Sequence, residues 1–249
     1  MAVVTIARQE GAWGEEVGAK LAARLSARLL DRELLELASA HSGVPIEVLD
    51  AMDERGRSLW RHPTDLWRTV PVPLPDAEHL GHAEAETRYP PTGPVDTHAL
   101  DVLPTAYWAA EHYQQLIAET IRMLAAEAGE EHVVIVGRGG QCALGRAAGT
   151  VHALLVAPFD IRADRVREST GEERRSVTIR LRRGDRDREA FHSQAGDVNW
   201  MDPTLYDYVI STERISTDLA ADLLSAAAHA AQPYRPDAAL APAAGHAGH

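Results

Sequence analysis

Short runs of β-branched and aliphatic residues alternate with longer stretches of mixed polarity along most of the chain. Runs of this kind, bounded by glycine or charged residues, predict buried strands. They stand at 3–7, 29–31, 133–137, 151–157 and 208–211. The sequence therefore predicts five strands, of which 3–7, 133–137 and 151–157 have the clearest pattern.

The stretches between these runs have helical periodicity. Val17, Leu21 and Leu25 recur at every fourth position and form one apolar stripe. Three further stretches predict helices: 33–40, 106–128 and about 217–230. Ser216 or Thr217 is the predicted N-cap of the last one. Strands that alternate with helices favour an α/β fold, in which helices cover both faces of a parallel sheet.

Two segments break this alternation. Residues 61–105 are rich in proline and lack periodicity, which predicts an irregular insert that serves as a lid or a partner surface. Residues 232–249 consist largely of alanine, proline, glycine and histidine, a composition typical of disorder. We therefore predict a single domain over residues 1–231 with an elaborated insert, followed by a disordered tail.

Composition narrows the classes of function. The chain has 37 acidic and 25 basic residues, a formal net charge of −12, which argues against a general binder of nucleic acid or anionic membranes. Cys142 is the only cysteine, so an intramolecular disulfide is excluded, and the histidines lack metal-ligand spacing. The sequence has no apolar run of membrane-spanning length, and we expect no signal peptide. We expect a cytoplasmic protein with a local basic site at most.

Ligands of open parallel sheets bind beyond the carboxyl ends of the strands. The polar residues at those ends are Arg8, Asp31, Arg138 and Asp160. Arg138 follows a buried strand and precedes two glycines, a pattern that favours a functional role. Asp31 has two interpretations that the sequence leaves open. It accepts a proton or hydrogen bond from a substrate, or it is the N-cap of the next helix.

The first strand, the turn at 8–14 and the following helix have the architecture of a phosphate-binding loop, in which helix N–H groups attract anions. The Walker motif is absent, since Glu15 and Glu16 follow Gly14 where a lysine and a serine or threonine would stand. An ordinary strand-to-helix turn capped by acids explains the same pattern.

Residues 162–188 carry ten arginines and six acids. Arginines stabilise the charge that spreads over a transferred phosphoryl group, and on a lid they close over a bound nucleotide. The same composition is typical of a solvated helix with ion pairs between successive turns. Both interpretations stay open on the residues alone.

Six segments, in order along the chain, resemble the cytidylate kinase-like proteins, a branch of the nucleoside monophosphate kinases. They are VVTIARQEGAWGEEVGAKLA, LLDRELLELA, VVIVGRGGQCAL, VHALLVAPFDIRADRV, DRDREAFH and WMDPTLYDYVISTERIS. The resemblance spans about residues 3–225 apart from the proline-rich segment. It implies a P-loop kinase fold, a three-layer sandwich around a five-stranded parallel sheet. It also implies an arginine-rich lid at 162–200 and places the insert in the acceptor region.

The resemblance implies ATP as phosphoryl donor, Mg²⁺ as cofactor and a nucleoside monophosphate as acceptor, with CMP or dCMP favoured. Arg138 would hold the acceptor phosphate and Asp31 would lie beside the acceptor. The implied lid arginines are Arg183, Arg186 and Arg188, oriented by Asp185. The implied nucleotide-binding residues are Arg8, Gly11, Ala12, Trp13, Gly14, Glu15, Glu16, Val17, Gly18, Asp31, Arg162 and Arg165.

Three loop residues depart from the family pattern: Ala12, Trp13 and Glu15 stand where it has serine, glycine and arginine. Trp13 brings a large side chain to a loop that approaches phosphate closely. Glu15 places negative charge beside a polyphosphate unless Mg²⁺ bridges the two. Glu16 matches a family glutamate and is the candidate Mg²⁺ ligand, and Arg8 is the candidate substitute for the missing loop cation.

Three hypotheses follow for the function. The first is a cytidylate kinase-like phosphotransferase. The second is a nucleotide-binding regulatory or scaffold protein on a catalytically degenerate kinase fold, and the third is a kinase of another small molecule. Nucleotides are the expected ligands, and a second copy of the chain or a protein partner bound through the insert is the expected macromolecular contact.

Overall fold

The computed structural model describes residues 1–30, 32–52, 99–194 and 198–235. Five strands in these residues form one sheet: β1 (Val3–Arg8), β2 (Arg28–Leu30), β3 (Val133–Val136), β4 (Thr150–Val156) and β5 (Tyr208–Ser211). Their order is β2-β3-β1-β4-β5, and every neighbouring pair is parallel. The predicted five-stranded parallel sheet is confirmed.

Helices pack on both faces of this sheet. In chain order they are α1 (Gly14–Leu25), α2 (Arg32–Ser42), α3 (Ile46–Met52), α4 (Ala99–Glu127), α5 (Gly140–Leu144), α6 (Phe159–Thr170), α7 (Arg174–Gln194) and α8 (Thr217–Ala230). A helical hairpin, formed by α6 and α7, turns at Gly171, whose φ of 71° only glycine adopts easily.

Alternate side chains of the central strands enter two separate apolar cores. Val3 and Val133 face the core that α2, α3 and α4 cover, whereas Val4 and Val134 face the core that α1 and α8 cover. Because both faces are buried, β3 is apolar at every position, as is usual in parallel sheets. The three-layer arrangement predicted from the sequence is therefore the observed one.

The chain differs from the prediction at the edges of its elements. Helix α4 begins at Ala99, so residues 99–105, which were predicted as the end of the insert, are helical. The rest of the predicted insert, 61–98, lies outside the described residues. Residues 232–235 belong to the predicted tail, and two of them are hydrogen-bonded to the domain: Tyr234 N–H donates to the Met1 carbonyl and Arg235 N–H to the Ala148 carbonyl. Residues 236–249 lie outside the described residues.

The cap of the last helix agrees with the sequence. Ser216 caps α8, since its Oγ accepts a hydrogen bond from Leu219 N–H at 3.2 Å. Within the described ranges, no helix combines the length and the apolar character needed to cross a bilayer.

Candidate active site

Close contacts that only glycine permits shape the loop between β1 and α1. A Cβ on Gly11, which has a φ of +80°, would lie 2.8 Å from the Arg162 carbonyl oxygen. A Cβ on Gly14 would lie 2.4 Å from Cγ of Arg8, and one on Gly18 would lie 2.5 Å from Cγ2 of Val136. The first two glycines therefore set the shape of the loop, and Gly18 lets α1 pack tightly on β3.

Two other predicted loop residues have side chains that lie in the core rather than in the site. Ala12 and Val17 are both fully buried in the apolar core between the sheet and α1. They contribute to a ligand site only through their backbone groups. A serine hydroxyl, which the family pattern places at residue 12, is absent from this loop.

The carboxylate of Glu15 is paired with the arginine that ends β1. Arg8 is 3% exposed, and its Nε donates to Glu15 Oε1 at 3.2 Å. Glu15 itself is largely exposed. The charge that departs from the family pattern is thus compensated within the loop, and a cation is held beside the first turn of α1.

Trp13 precedes α1 in a left-handed conformation, with φ 59° and ψ 29°. The Arg165 guanidinium lies 3.5 Å from the centroid of its ring, a cation–π contact. Arg165 also donates to the Gly11 carbonyl at 3.1 Å and to the Thr212 carbonyl at 2.7 Å. Burial lowers the pKa of the Arg165 guanidinium. The loop, α6 and the end of β5 are joined by this one arginine.

A buried ion pair links α6 to α7 next to the loop. Arg162 is 3% exposed and donates to Asp185 through Nη1 at 3.1 Å and Nη2 at 2.8 Å, a bidentate contact. Asp185 also lies 3.6 Å from Nη1 of Arg188, which is 7% exposed. Arg162 donates in addition to the Glu10 carbonyl at 3.3 Å. Two buried arginines therefore surround one carboxylate at the edge of the loop.

The turn after β3 contains three consecutive left-handed residues. The φ values are 79° at Gly137, 57° at Arg138 and 68° at Gly139. A non-glycine residue in this left-handed region carries backbone strain of about 1–3 kcal/mol. Arg138 has this conformation, and it is also buried, with 6% of its surface exposed. Gly137 and Gly139 line a small cavity together with Arg8 and Arg188. The structure thus brings this turn, the end of β1 and α7 together at the carboxyl end of the sheet.

The sequence did not identify the residues of the other wall of this cavity. It contains Gln141, His192 and Trp200. The imidazole of His192 stacks on Trp200, with ring centroids 6.0 Å apart, and Gln141 donates to the hydroxyl of Tyr206 at 3.2 Å. Burial raises the pKa of the Tyr206 hydroxyl, which itself donates to the Trp200 carbonyl. The signal for His192 was present in the sequence, since this histidine ends the segment DRDREAFH that resembles the family.

The predicted lid arginines fall into two groups. Arg188 lies in the buried cluster, whereas Arg183 and Arg186 contact residues of their own helix: Arg183 is 4.0 Å from Asp187, and Arg186 donates to the Arg182 carbonyl at 3.2 Å. The contacts that the structure gives Asp185 are to Arg162 and Arg188. In this conformation Asp185 therefore orients only one of the three predicted lid arginines.

A further ion pair joins the hairpin to the loop and involves residues that the prediction omitted. Arg180 on α7 lies 3.2 Å from Oε1 of Glu10. Arg180 also pairs with Glu172. The contacts of Glu10, Gly11 and Trp13 with α6 and α7 bring the hairpin directly against the loop.

Glu16 lies away from this cluster, on the side of α1 that faces α8. Its Oε1 accepts hydrogen bonds from Thr217 Oγ1 at 2.7 Å and pairs with Lys20 at 3.0 Å. These two partners lower the pKa of Glu16. In the part of the chain that the structure describes, no three His, Cys, Asp or Glu side chains are grouped to hold a metal ion. Asp31 lies outside the described residues.

The sequence profile of one family matches residues 3–214, and it is described as the cytidylate kinase-like family. The chain belongs to the cytidylate kinase-like family. It therefore has the P-loop kinase fold. The binding of phosphate by the β1–α1 loop stays a prediction. No curated protein matches the sequence of this chain at a significant level.

Solved structures resemble this chain at low sequence identity. An uncharacterized protein from Eubacterium ventriosum superposes with a TM-score of 0.57 at 19% identity, over 92% of this chain and 99% of that one. The shikimate kinase of Bacteroides thetaiotaomicron has a TM-score of 0.45 at 12% identity, over 92% of this chain and 98% of that one. The shikimate kinase of Acinetobacter baumannii, in complex with shikimate, has a TM-score of 0.45 at 12% identity, over 92% of this chain and 94% of that one. The likeness to the Eubacterium ventriosum protein, at 19% identity, concerns the fold alone.

Proposed function

We propose that this protein is an ATP-dependent phosphotransferase whose acceptor is a nucleoside monophosphate, with CMP or dCMP favoured. The observation that carries the proposal is a set of four buried arginines around the phosphate loop: Arg8, Arg138, Arg162 and Arg188. Guanidinium groups are costly to remove from water. Their concentration at the carboxyl edge of a parallel sheet fits a ligand with more than one phosphate group. Membership of the cytidylate kinase-like family supports the same reaction class.

The loop suits the polyphosphate of a donor nucleotide. Because Gly11 and Gly14 carry no Cβ, Arg162 and Arg8 pack directly against the loop, and the N-terminus of α1 offers N–H donors to phosphate. Nε of Arg162 is buried and has no hydrogen-bond partner among the described residues. A buried donor of this kind is available to an anionic ligand.

Mg²⁺, bound together with ATP, would neutralise the charge of the phosphates. The ion prefers oxygen ligands and usually takes one or two carboxylates with phosphate oxygens and water. Glu16 has the right chemistry, but its contacts with Thr217 and Lys20 must rearrange before it can serve. We therefore assign most of the ligands of Mg²⁺ to the phosphates, and Glu16 stays a prediction.

Phosphoryl transfer needs positioning and charge stabilisation more than covalent chemistry. In this proposal Arg8 and the N-terminus of α1 bind the donor phosphates, and Arg138 binds the acceptor phosphate. Arg188 and Arg162 stabilise the transferred group. The α6–α7 hairpin acts as the lid, and Arg183 and Arg186 turn toward the nucleotide when it closes.

One observation favours a second candidate, a nucleotide-binding regulator without turnover. Arg8, the cation beside the loop, is paired with Glu15. Because the Glu15 carboxylate neutralises Arg8, less positive charge is left to stabilise the transition state than a loop lysine would supply.

Calorimetric titration separates the two candidates. The purified protein is titrated with ATP·Mg²⁺ and then with CMP, dCMP, UMP and AMP, and each binding pair is assayed for ADP. ADP formation that depends on one monophosphate supports the kinase and names its acceptor. Nucleotide binding without turnover supports the regulator, and binding of no nucleotide contradicts both candidates.

A further inference from the structure

The turn that carries Arg138 needs support from its surroundings. Gly137, Arg138 and Gly139 are all left-handed, and a non-glycine residue keeps such a conformation only where neighbouring structure fixes it. On the side of the sheet, Gly137 N–H donates to the Ile6 carbonyl at 2.9 Å. On the side of α5, the Gly139 carbonyl accepts a hydrogen bond from Cys142 N–H at 2.9 Å. These backbone contacts fix two sides of the turn, and a third side faces α7.

Two rings of α7 lie against that third side. A Cβ on Gly139 would lie 3.2 Å from Cε1 of Phe191 and 3.6 Å from Cε1 of His192. Because Gly139 has no side chain, both rings pack on the backbone of the turn. Phe191 also belongs to the apolar core that α4 covers, so core packing accounts for it. His192 is only 3% exposed, and a polar ring buried at this place requires another reason.

The imidazole of His192 contacts several parts of the site at once. One face stacks on Trp200, with the two ring planes 15° from parallel. Its Nδ1 lies 3.8 Å from Sγ of Cys142 on α5. Arg188 precedes His192 by one helical turn, and both line the cavity to which Gly139 also contributes. The ring is therefore held in place, and it sets the distance between the turn and the part of α7 that carries Arg188.

We propose that His192 is a positioning residue, whose ring holds the turn after β3 against α7 and thereby fixes the Arg138 guanidinium relative to Arg188. His192 acts on the ligand through Arg138. The flat shape of the ring carries this role, since one face stacks on Trp200 and one edge, at Cε1, meets the turn. This inference rests on the proposed function, in which Arg138 binds the acceptor phosphate.

The test separates a loss of position at Arg138 from a general loss of structure. Dissociation constants are measured for ATP·Mg²⁺ and for each of CMP, dCMP, UMP and AMP that binds the wild-type protein. The variants are His192→Ala, His192→Leu and His192→Phe, because leucine keeps bulk without a flat ring and phenylalanine keeps the ring. His229→Ala is the matched control, since His229 is an exposed histidine of α8. Thermal unfolding establishes which variants fold, and His192→Leu replaces His192→Ala if the alanine variant does not.

A double-mutant cycle shows whether His192 acts through Arg138. The monophosphate affinity is measured in Arg138→Ala and in Arg138→Ala combined with His192→Ala or His192→Leu. A residue that works only by placing Arg138 has nothing left to place once the guanidinium is gone, so its own substitution then has no further effect.

His192→Ala and His192→Leu are expected to weaken monophosphate binding about tenfold, within the range of coupling between residues of one contact network. ATP·Mg²⁺ binding should change by less than about twofold, because the β1–α1 loop keeps its contacts with α6. His192→Phe and His229→Ala should keep the wild-type affinities. In the Arg138→Ala background, the second substitution should weaken monophosphate binding by less than about a further twofold.

Four results would overturn the inference while the proposed function stands. The first is unchanged monophosphate binding in His192→Ala and His192→Leu. The second is a parallel loss of ATP·Mg²⁺ and monophosphate binding, which would make His192 a residue of general structure. The third is a full additional loss in the Arg138→Ala background, and the fourth is a loss in His192→Phe as large as in His192→Leu. A wild-type protein that binds ATP·Mg²⁺ but no monophosphate, or neither, contradicts the proposed function itself and the inference with it.

Discussion

Two networks of charged side chains join helices in this protein, and they differ in burial. On the outer face, Lys20 and Arg24 of α1 pair with Asp218 of α8, and all these side chains are substantially exposed. At the carboxyl edge of the sheet, Arg162 of α6 pairs with Asp185 of α7, and the side chain of Arg162 is 4% exposed. The same residue types thus meet in water in one region and inside the protein in the other.

The difference in burial separates a structural network from a candidate site. Exposed ion pairs are screened by water and salt, so they contribute little to stability or to binding. Buried guanidinium groups lose their hydration, which is costly. The cost is offset where a carboxylate pairs with the guanidinium or where an anionic ligand binds to it. The comparison predicts that mutations in the buried network have large effects and that mutations in the exposed network have small ones.

The largest effect on stability is expected from Asp185→Ala. The change leaves Arg162 buried without its bidentate partner, and we expect a loss on the order of 3 kcal/mol in the free energy of unfolding. Urea denaturation followed by circular dichroism measures it. A loss below about 1 kcal/mol, the range of exposed pairs, would show that the two networks are equivalent.

Arg138→Ala is expected to have the largest effect on activity. It removes a buried guanidinium from the turn after β3, and we expect kcat/KM for the monophosphate to fall on the order of 100-fold, with a higher acceptor KM. Steady-state kinetics measure both parameters. Arg24→Ala, on the exposed network, is the matched control and should leave them unchanged. Unchanged kinetics in Arg138→Ala would remove Arg138 from the site.

Glu15→Gln tests the pair between the loop and β1, with a smaller expected effect. Removal of the carboxylate reduces repulsion of phosphate, but it also releases Arg8 from the position that Glu15 gives it. We expect the second effect to prevail and ATP·Mg²⁺ to bind about threefold more weakly, the size of a half-exposed ion pair. Tighter binding, measured by calorimetry in Glu15→Gln or Glu15→Arg, would instead identify Glu15 as an inhibitory departure from the family pattern.

The smallest effect is expected from Asp218→Asn on the exposed network. Contacts with Lys20 and Arg24 lower the pKa of Asp218 in the folded protein. The contribution of Asp218 to the free energy of unfolding is therefore fully present above the ordinary carboxyl pKa. It is lost as the pH falls through the lowered pKa of the folded protein. The stability difference between Asp218→Asn and the wild-type protein should be small at neutral pH, shrink with added salt and vanish in acid. A large difference at high salt would contradict this account.

The sheet was predictable from the sequence because its signals are local. The apolar run 208–211 gives β5 with the same bounds, and Ser216 caps α8 as predicted, since a strand run and a cap depend on neighbouring residues. The start of α4 was not predictable in this way, because the prolines up to Pro104 give residues 61–105 the composition of an irregular insert, whereas the helix includes Pro104.

The candidate site was predictable in its location but not in its contacts. Arg8 and Arg138 stand at the carboxyl ends of strands that the sequence identifies. Because ligands of parallel sheets bind at these ends, both arginines could be predicted as site residues. The partnership of Arg162 with Asp185 depends on how the α6–α7 hairpin packs, and no local pattern encodes it. The pairing of Glu15 with Arg8 likewise depends on the close approach of Gly14 to Arg8.

The most direct test of the central claim is ADP formation by the purified protein with ATP·Mg²⁺, measured with and without CMP or dCMP. The account predicts that ADP is released only when a monophosphate is present, and that Arg188→Ala, which removes a buried arginine beside the loop, suppresses the release. Two results would contradict the claim that the buried arginines serve phosphoryl transfer. One is ADP release at the same rate with and without every monophosphate, and the other is no ADP release although ATP and CMP both bind.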